Sequence, residues 1–351
     1  MTRKTPLILV HCATRKNLIE SSLGEPEYSY YFVLKAYLPV LQSLGEVRQI
    51  DDPVTDVDPI YFEANRHGRY CVFLDFCPPQ LLELDLKCPT LPVFAWEFEN
   101  IPNEIWDNDL RHDWRYSLGR VGWAITHSSH TVANVQKHIR AGFPIISAPA
   151  PVWDQYSRLS AGRRGTKIAQ PVTLRVEKGY LVDTQKIDLQ FYGLQNSEDS
   201  LSRACLQVPC DITLNGVIYT SVLNPMDGRK NWMDQFWTFC WAFRDNPDAT
   251  LVMKLTNSAP EEALGILLYD LYKLTPFRCR VIAISGYLSD DDYKKLASCT
   301  TYTVNSSRGE GQCLPLMEYM SSGAPAVAPR HTGLLDYIDE SNAFVIDSSL
   351  E

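Results

Sequence analysis

Near one end of the chain two carboxylates, Glu310 and Glu318, stand with seven residues between them, Gly311 and Pro315 among these. Glycines followed by a helix start aim backbone N–H groups at one point, which is the make-up of an anion site. Carboxylates at its rim add hydrogen-bond acceptors. A ligand with a charged phosphate group also needs cations or backbone dipoles around it. The basic candidates are Arg229 and Lys230, in NPMDGRKN, and Lys254, in LVMKL. A lysine inside an apolar strand needs a partner, because burying it unpaired is costly.

The elements that must position these groups follow from residue type. Residues 302–305 are β-prone and residues 306–312 are loop formers. Gly309 and Gly311 are free to adopt positive φ. Pro315 suits a first helical turn, Gly323 a helix end, and residues 326–328 a buried return strand. This predicts a strand, a glycine-containing loop, a short helix and a strand.

The stretch resembles the donor-binding motif of retaining GT-B glycosyltransferases, family 4 in particular. That motif is a Glu, seven residues, a second Glu and a Gly-x-Pro turn. Glu310, Gly311, Leu314, Pro315, Glu318, Gly323 and Pro325 fall on it. The resemblance implies two Rossmann-like domains facing across a cleft. It implies that Glu310 contacts donor-sugar hydroxyls and Glu318 the ribose. The backbone of Gly311, Gln312, Cys313 and Leu314 would hold the sugar and the β-phosphate, with Ser307 and Arg308 lining the same pocket. Lys230 matches the family's diphosphate lysine, and Lys254 matches a lysine of one branch. The family's arginine position is Asn224 here, a departure for which Arg229 is the candidate replacement.

A second stretch, FAWEFENIPNEIW at residues 94–106, resembles a Trp-Glu, Ile-Pro, Trp signature of mannosyl- and related transferases of bacterial surface polysaccharides, lipopolysaccharide included. It makes Trp96 and Glu97 acceptor-side candidates at a strand end, where α/β sheets bind ligands. Trp106 is a candidate sugar platform. His127, in THSSHT, is a further acceptor-side candidate, with Ser128 to His130 beside it. Glu97, Glu310 and Lys230 are the candidate catalytic residues. Two aspartate clusters, at 56–58 and 290–292, are read as a polar loop and a helix start, so the expected reaction needs no metal and no cofactor beyond its nucleotide-sugar substrate.

The chain has 351 residues, which suggests about two domains. It is 45% hydrophobic and 21% charged, enough for a sizeable core. A net charge of −9 argues against a generally basic, nucleic-acid-binding surface. Ten cysteines show neither CxxC nor zinc spacing and fit a reducing cytoplasm. No apolar run reaches the roughly 20 residues of a membrane span, and the N-terminal apolar run is short for a signal peptide.

Buried strands are expected at 6–12, 46–50, 70–76, 91–96, 121–126 and 143–148, helices at 29–44 (bent at Pro39) and 130–141, and an acidic loop at 51–59. Such a rhythm predicts a parallel sheet covered on both faces. Residues 152–216 break it with a basic run and short alternating segments that resemble hairpins. A second α/β rhythm starts at Val217. The expected domains are therefore an acceptor-side domain at 1–151, a β-rich linker or insertion at 152–216, and a nucleotide-sugar domain at 217–351. Family members continue further, so the expectation is either a fragment of a longer chain, one with further domains included, or an unusually short C-terminus.

The resulting expectation is a retaining transferase that moves a sugar, a mannose-like one favoured, to a glycan or lipid-linked glycan acceptor. A cytoplasmic location, with a peripheral place at the inner face of a membrane, fits that acceptor class. The alternatives are a non-catalytic binding module of a larger polysaccharide-assembly protein and a GT-B nucleotide-sugar epimerase.

Overall fold

The computed structural model describes residues 4–14, 19, 22–25, 27–159, 165–190, 201, 204–257 and 259–349. The basic run at 157–166 and the alternating segment at 187–194 lie partly outside these residues.

The first half runs β1 (Leu7–His11), α1 (Tyr28–Leu44), β2 (Glu46–Gln49), α2 (Pro53–Arg66), β3 (Cys71–Asp75), β4 (Thr90–Phe94), α3 (Trp114–Val121), β5 (Ala124–Thr126), α4 (Ser129–His138), β6 (Ile145–Ser147) and α5 (Trp153–Tyr156). Its sheet has the order β2-β1-β3-β4-β5-β6. Every pairing in it is parallel. Leu9, Val10, Phe73, Val93 and Phe94 are fully buried, as apolar strands covered on both faces require.

One expectation changes here. Residues 51–59 are not an acidic loop: they enter α2. Asp52 caps it, its Oδ1 accepting from Val54 N at 3.0 Å, and Pro53 occupies the first turn, where its missing N–H costs nothing. Asp58 holds the chain ahead of β4, accepting from Lys87 N at 2.8 Å and Cys88 N at 3.0 Å. Pro39 lies inside α1, on an exposed face where water can take the freed backbone bond.

The second half runs β7 (Ile168–Val176), β8 (Tyr180–Asp183), β9 (Cys210–Leu223), α6 (Trp232–Ala242), β10 (Ala249–Leu255), α7 (Pro260–Leu274), β11 (Arg280–Ser285), α8 (Asp290–Cys299), β12 (Tyr302–Val304), α9 (Leu314–Ser321), β13 (Ala326–Pro329) and β14 (Ala343–Ile346). Its sheet has the order β14-β13-β12-β9-β10-β11-β8, with β7 on β9. The strands from β14 to β11 are parallel. β7 and β8, from the expected insertion, pair antiparallel with β9 and β11. They extend the second sheet rather than standing between the halves. A bidentate ion pair fastens β8 down: Arg280 Nε and Nη2 meet Asp183 Oδ1 and Oδ2 at 2.9 and 2.6 Å. β9 runs unbroken through position 216. Gly216 has φ +84° there, and a Cβ would lie 2.4 Å from Asp248 O.

The two halves touch at several points. Lys35 Nζ lies 2.5 Å from Asp290 Oδ2. Ser129 N donates to Asp336 Oδ2 at 2.7 Å. Asn224 Nδ2 donates to Gly24 O at 3.2 Å. Among the described residues no helix is long and apolar enough to cross a membrane.

Candidate active site

A cavity of about 810 Å³ lies between the halves, at the carboxyl ends of β4, β5, β9, β10 and β12. That is where open parallel sheets bind ligands. One wall is the loop from β12 to α9, and the facing wall is the chain that leaves β4.

Glu310 is the hub. It is 3% exposed, and its carboxylate receives four groups. Lys230 Nζ donates to both oxygens, at 2.7 and 2.9 Å. Asn305 Nδ2 and Ser307 Oγ donate to Oε1 at 3.0 and 2.5 Å. Arg229 Nη1 lies 3.3 Å from Oε2. Burial alone pushes this carboxyl up. Lys230 and Arg229, with the hydrogen bonds from Lys230 and Ser307, outweigh it and hold the carboxyl at about 2. Arg229 and Lys230 reach the hub from a 3-10 turn, Gly228–Lys230, whose start is capped by Asp227.

Arg229 also faces the other half. Its Nε lies 3.0 Å from Glu97 Oε1 and 2.9 Å from Asp227 Oδ2. Burial raises the Glu97 carboxyl above its ordinary range, and Arg229 offsets part of that. Trp96 lines the cavity with its ring centroid 4.5 Å from that of Trp114 and 5.0 Å from that of Phe98, and its Nε1 donates to Asn100 O at 2.8 Å.

Across the cleft, the closest approach at these loop glycines is at Gly311. A Cβ there would meet Ala95 Cβ and Trp96 N, both at 2.9 Å. On its other side lies Gly333, where a Cβ would come within 2.4 Å of Gly311 O. Gly309 and Gly311 therefore serve close approach, not the positive φ expected of them. The left-handed position in this loop is Cys313, at φ +60°, just before α9.

Glu318, on α9, is buried beside the same cavity. Tyr293 Oη donates to its Oε2 at 2.7 Å. Burial pushes its carboxyl up to about 7, against hydrogen bonds from Tyr293 and Tyr156 that pull the other way. Lys254 ends β10 inside the cavity wall. Its Nζ donates to Leu255 O at 3.0 Å, and among the described residues no carboxylate pairs with it. Burial pulls its ammonium down to about 7.

His127, after β5, is buried with Nδ1 3.1 Å from Ala148 O. A carbonyl oxygen only accepts, so Nδ1 carries the proton and Nε2 is a bare acceptor. Nε2 has no partner among the described residues. Burial holds the ring's titration down to about 4.

Of the sequence candidates, Trp96, Glu97, His127, Arg229, Lys230, Lys254, Glu310, Gly311, Gln312, Cys313, Leu314 and Glu318 all border this one cavity. Ser307 supports Glu310 instead of lining it. Arg308 is exposed and gives its N–H to Arg229 O at 2.7 Å. Trp106 is exposed in a turn outside the lining. Asn224 borders the cavity too, and its Nδ2 donates to Gly24 O of the first half. Sequence reading missed Asp227, Tyr156 and Tyr293. Asp227 had a local signal, an aspartate two positions ahead of Arg229. The tyrosines had none.

No family model and no curated protein matches the chain. Solved structures do. Sucrose-phosphate synthase from Thermosynechococcus elongatus matches at a TM-score of 0.51 and 12% identity, over 98% of this chain and 86% of that one. The N-terminal domain of Candida albicans trehalose-6-phosphate phosphatase matches at 0.50 and 8% identity, over 95% and 86%. TarM of S. aureus matches more loosely, at 0.46 and 11% identity, over 79% of this chain and 45% of that one, so this chain spans less than half of TarM. The fold is GT-B: two α/β domains, each built on a largely parallel sheet, facing across a cleft.

Proposed function

We propose that the protein is a retaining, metal-independent glycosyltransferase that moves a sugar from a nucleotide-sugar donor to a hydroxyl acceptor. The observation that supports it is the convergence of Glu310, Lys230, Arg229 and the start of α9 on one wall of an interdomain cleft, with Glu97 opposite. Glu310 offers acceptors to donor-sugar hydroxyls. Glu318 offers the same to the ribose. Lys254, with no carboxylate of its own, and the N–H groups leading into α9 meet the diphosphate. Lys230 can join them by shifting from Glu310. Leaving-group charge is then met by protein groups alone. Glu97, held by Arg229, stands where an acceptor hydroxyl would enter. The resemblance favours a mannose-like sugar and bacterial surface polysaccharide as the pathway, and the cysteines fit a cytoplasmic setting, with a first domain at 1–151 and a second at 217–351 that takes in strands of the β-rich segment 152–216.

A thermal-shift panel of nucleotide sugars tests the donor, since a ligand that binds only the folded state raises the melting point. Product analysis in EDTA then tests the reaction. Glu310→Gln should weaken transfer far more than binding of free nucleoside diphosphate, which has no sugar to hold. Glu318→Gln should weaken nucleotide and nucleotide sugar alike. Activity that EDTA abolishes and manganese restores would overturn the metal-independent reading. Retained anomeric configuration in the product tests the stereochemistry.

A further inference from the structure

We infer that the acceptor half of the cleft takes an uncharged sugar hydroxyl and rejects acceptors that carry a phosphate or carboxylate next to the reacting oxygen. This rests on the glycosyltransferase reading above. The first-domain wall of the cavity carries the carboxylates of Glu25, Glu27 and Glu97. Between them it is aromatic, with Phe32, Trp96 and Trp114. The one first-domain cation among the described lining residues is Lys35, and it is paired with Asp290 at 2.5 Å. Arg229 and Lys230 are tied to Glu97 and Glu310. The remaining cations, Lys254 and Lys294, belong to β10 and α8 on the opposite wall.

Hydrogen bonding points the same way as charge. His127 Nε2 is a buried acceptor with no partner among the described residues, on a side chain that borders the cavity. A hydroxyl can donate to it. A phosphate dianion or carboxylate can only accept, and would set acceptor against acceptor beside three carboxylates. Sugar C–H faces also suit the aromatic wall, whereas an anion there loses hydration with nothing in return. The acceptor half thus discriminates by withholding cations, which is specificity through unpaired charge.

The test uses the full chain with nucleoside diphosphate bound and reads acceptor affinity by calorimetry. The probes are methyl glycosides of the gluco, manno and galacto series, each with its uronide and 6-phosphate. In the best-binding series the neutral glycoside should bind about tenfold tighter than either anion, and Glu27→Gln should narrow that gap about threefold. Glu27 makes no side-chain cap bond to α1, so this change leaves the helix start intact. An anion that binds as well as its neutral parent would overturn the inference, as would no binding by any neutral glycoside or an unchanged gap in Glu27→Gln. Nucleoside diphosphate that fails to bind at all would overturn the parent reading instead.

Discussion

Glu97 and Arg229 meet across the cleft with Oε1 and Nε 3.0 Å apart, and the same guanidinium reaches Glu310 at 3.3 Å. One side chain thereby links a carboxylate of the first domain to the hub of the second. Arg229→Met cuts that link and leaves two carboxylates facing one another with Lys230 between them. Transfer should fall by about 10²-fold, the scale for losing one electrostatic contact to the reacting groups. X-ray scattering should show a larger radius of gyration. Unchanged scattering together with unchanged rate would sink this role.

Gly311→Ala places a methyl where Ala95 Cβ and Trp96 N already lie at 2.9 Å. Overpacking of this kind costs about 1–3 kcal/mol. Here it falls between domains, so it should bias the cleft open more than unfold either half. Transfer should drop about tenfold or more while nucleoside diphosphate binding stays within about threefold. Equal losses in both measurements would place the damage inside the nucleotide wall instead.

Lys254 titrates at about 7 in the folded chain. An unfolded lysine titrates near 10.4. Between these values the unfolded chain holds the extra proton, so stability rises with pH, by about 1.4 kcal/mol per unit from this group, and is lost as pH falls toward 7. Lys254→Met should flatten that part of the slope in urea titrations at pH 7 and 9. A diphosphate bound beside Lys254 should restore its proton, so binding at pH 8 takes up protons in the wild type and not in the Met variant. Calorimetry in two buffers of different ionisation heat reads the difference, and equal uptake in both proteins would refute it.

Glu318 has the opposite sign. Its folded carboxyl sits at about 7, against about 4.3 unfolded. Between them the folded chain holds the proton, so this group makes stability fall as pH rises through that window. Glu318→Gln should remove the fall. Tyr293→Phe deletes a hydrogen bond that favours the ionised form, and should push the carboxyl higher still. A nucleotide-affinity profile that does not shift toward higher pH in Tyr293→Phe would show that Tyr293 does not tune Glu318.

The sequence made much of this readable, and unevenly so. The motif from Glu310 to Pro325 is local, and short-range turn and helix chemistry carries it whole. The alternating strands of both sheets show for the same reason. α2 was hidden because Pro53 and Pro59 look like breakers, although Pro53 is a helix start once Asp52 caps it. Lys254 looked like a lysine in want of a partner, and among the described residues none that is charged meets it. Tyr156 and Tyr293 could not be read at all: they reach Glu318 from α5 and α8, and nothing in spacing reveals a contact made by tertiary packing. Gly311 was recognised as special for the wrong reason, since the constraint on it comes from Ala95 and Trp96, more than 200 positions away.

At Gly311 the main chain meets Trp96 N across the cleft with only the Ala95 Cβ beside it, and Gly333 packs against the carbonyls of Glu310 and Gly311. Side chains can rotate to absorb a misfit, and peptide groups cannot. The shut cleft therefore has a fixed end-stop, like a caliper whose smallest reading is set by the thickness of its jaws. Exchanges among the residues that line the cavity can alter what it grips. How closely its walls meet at this point is set by the main chain at Trp96 and Gly311 and by the Ala95 Cβ.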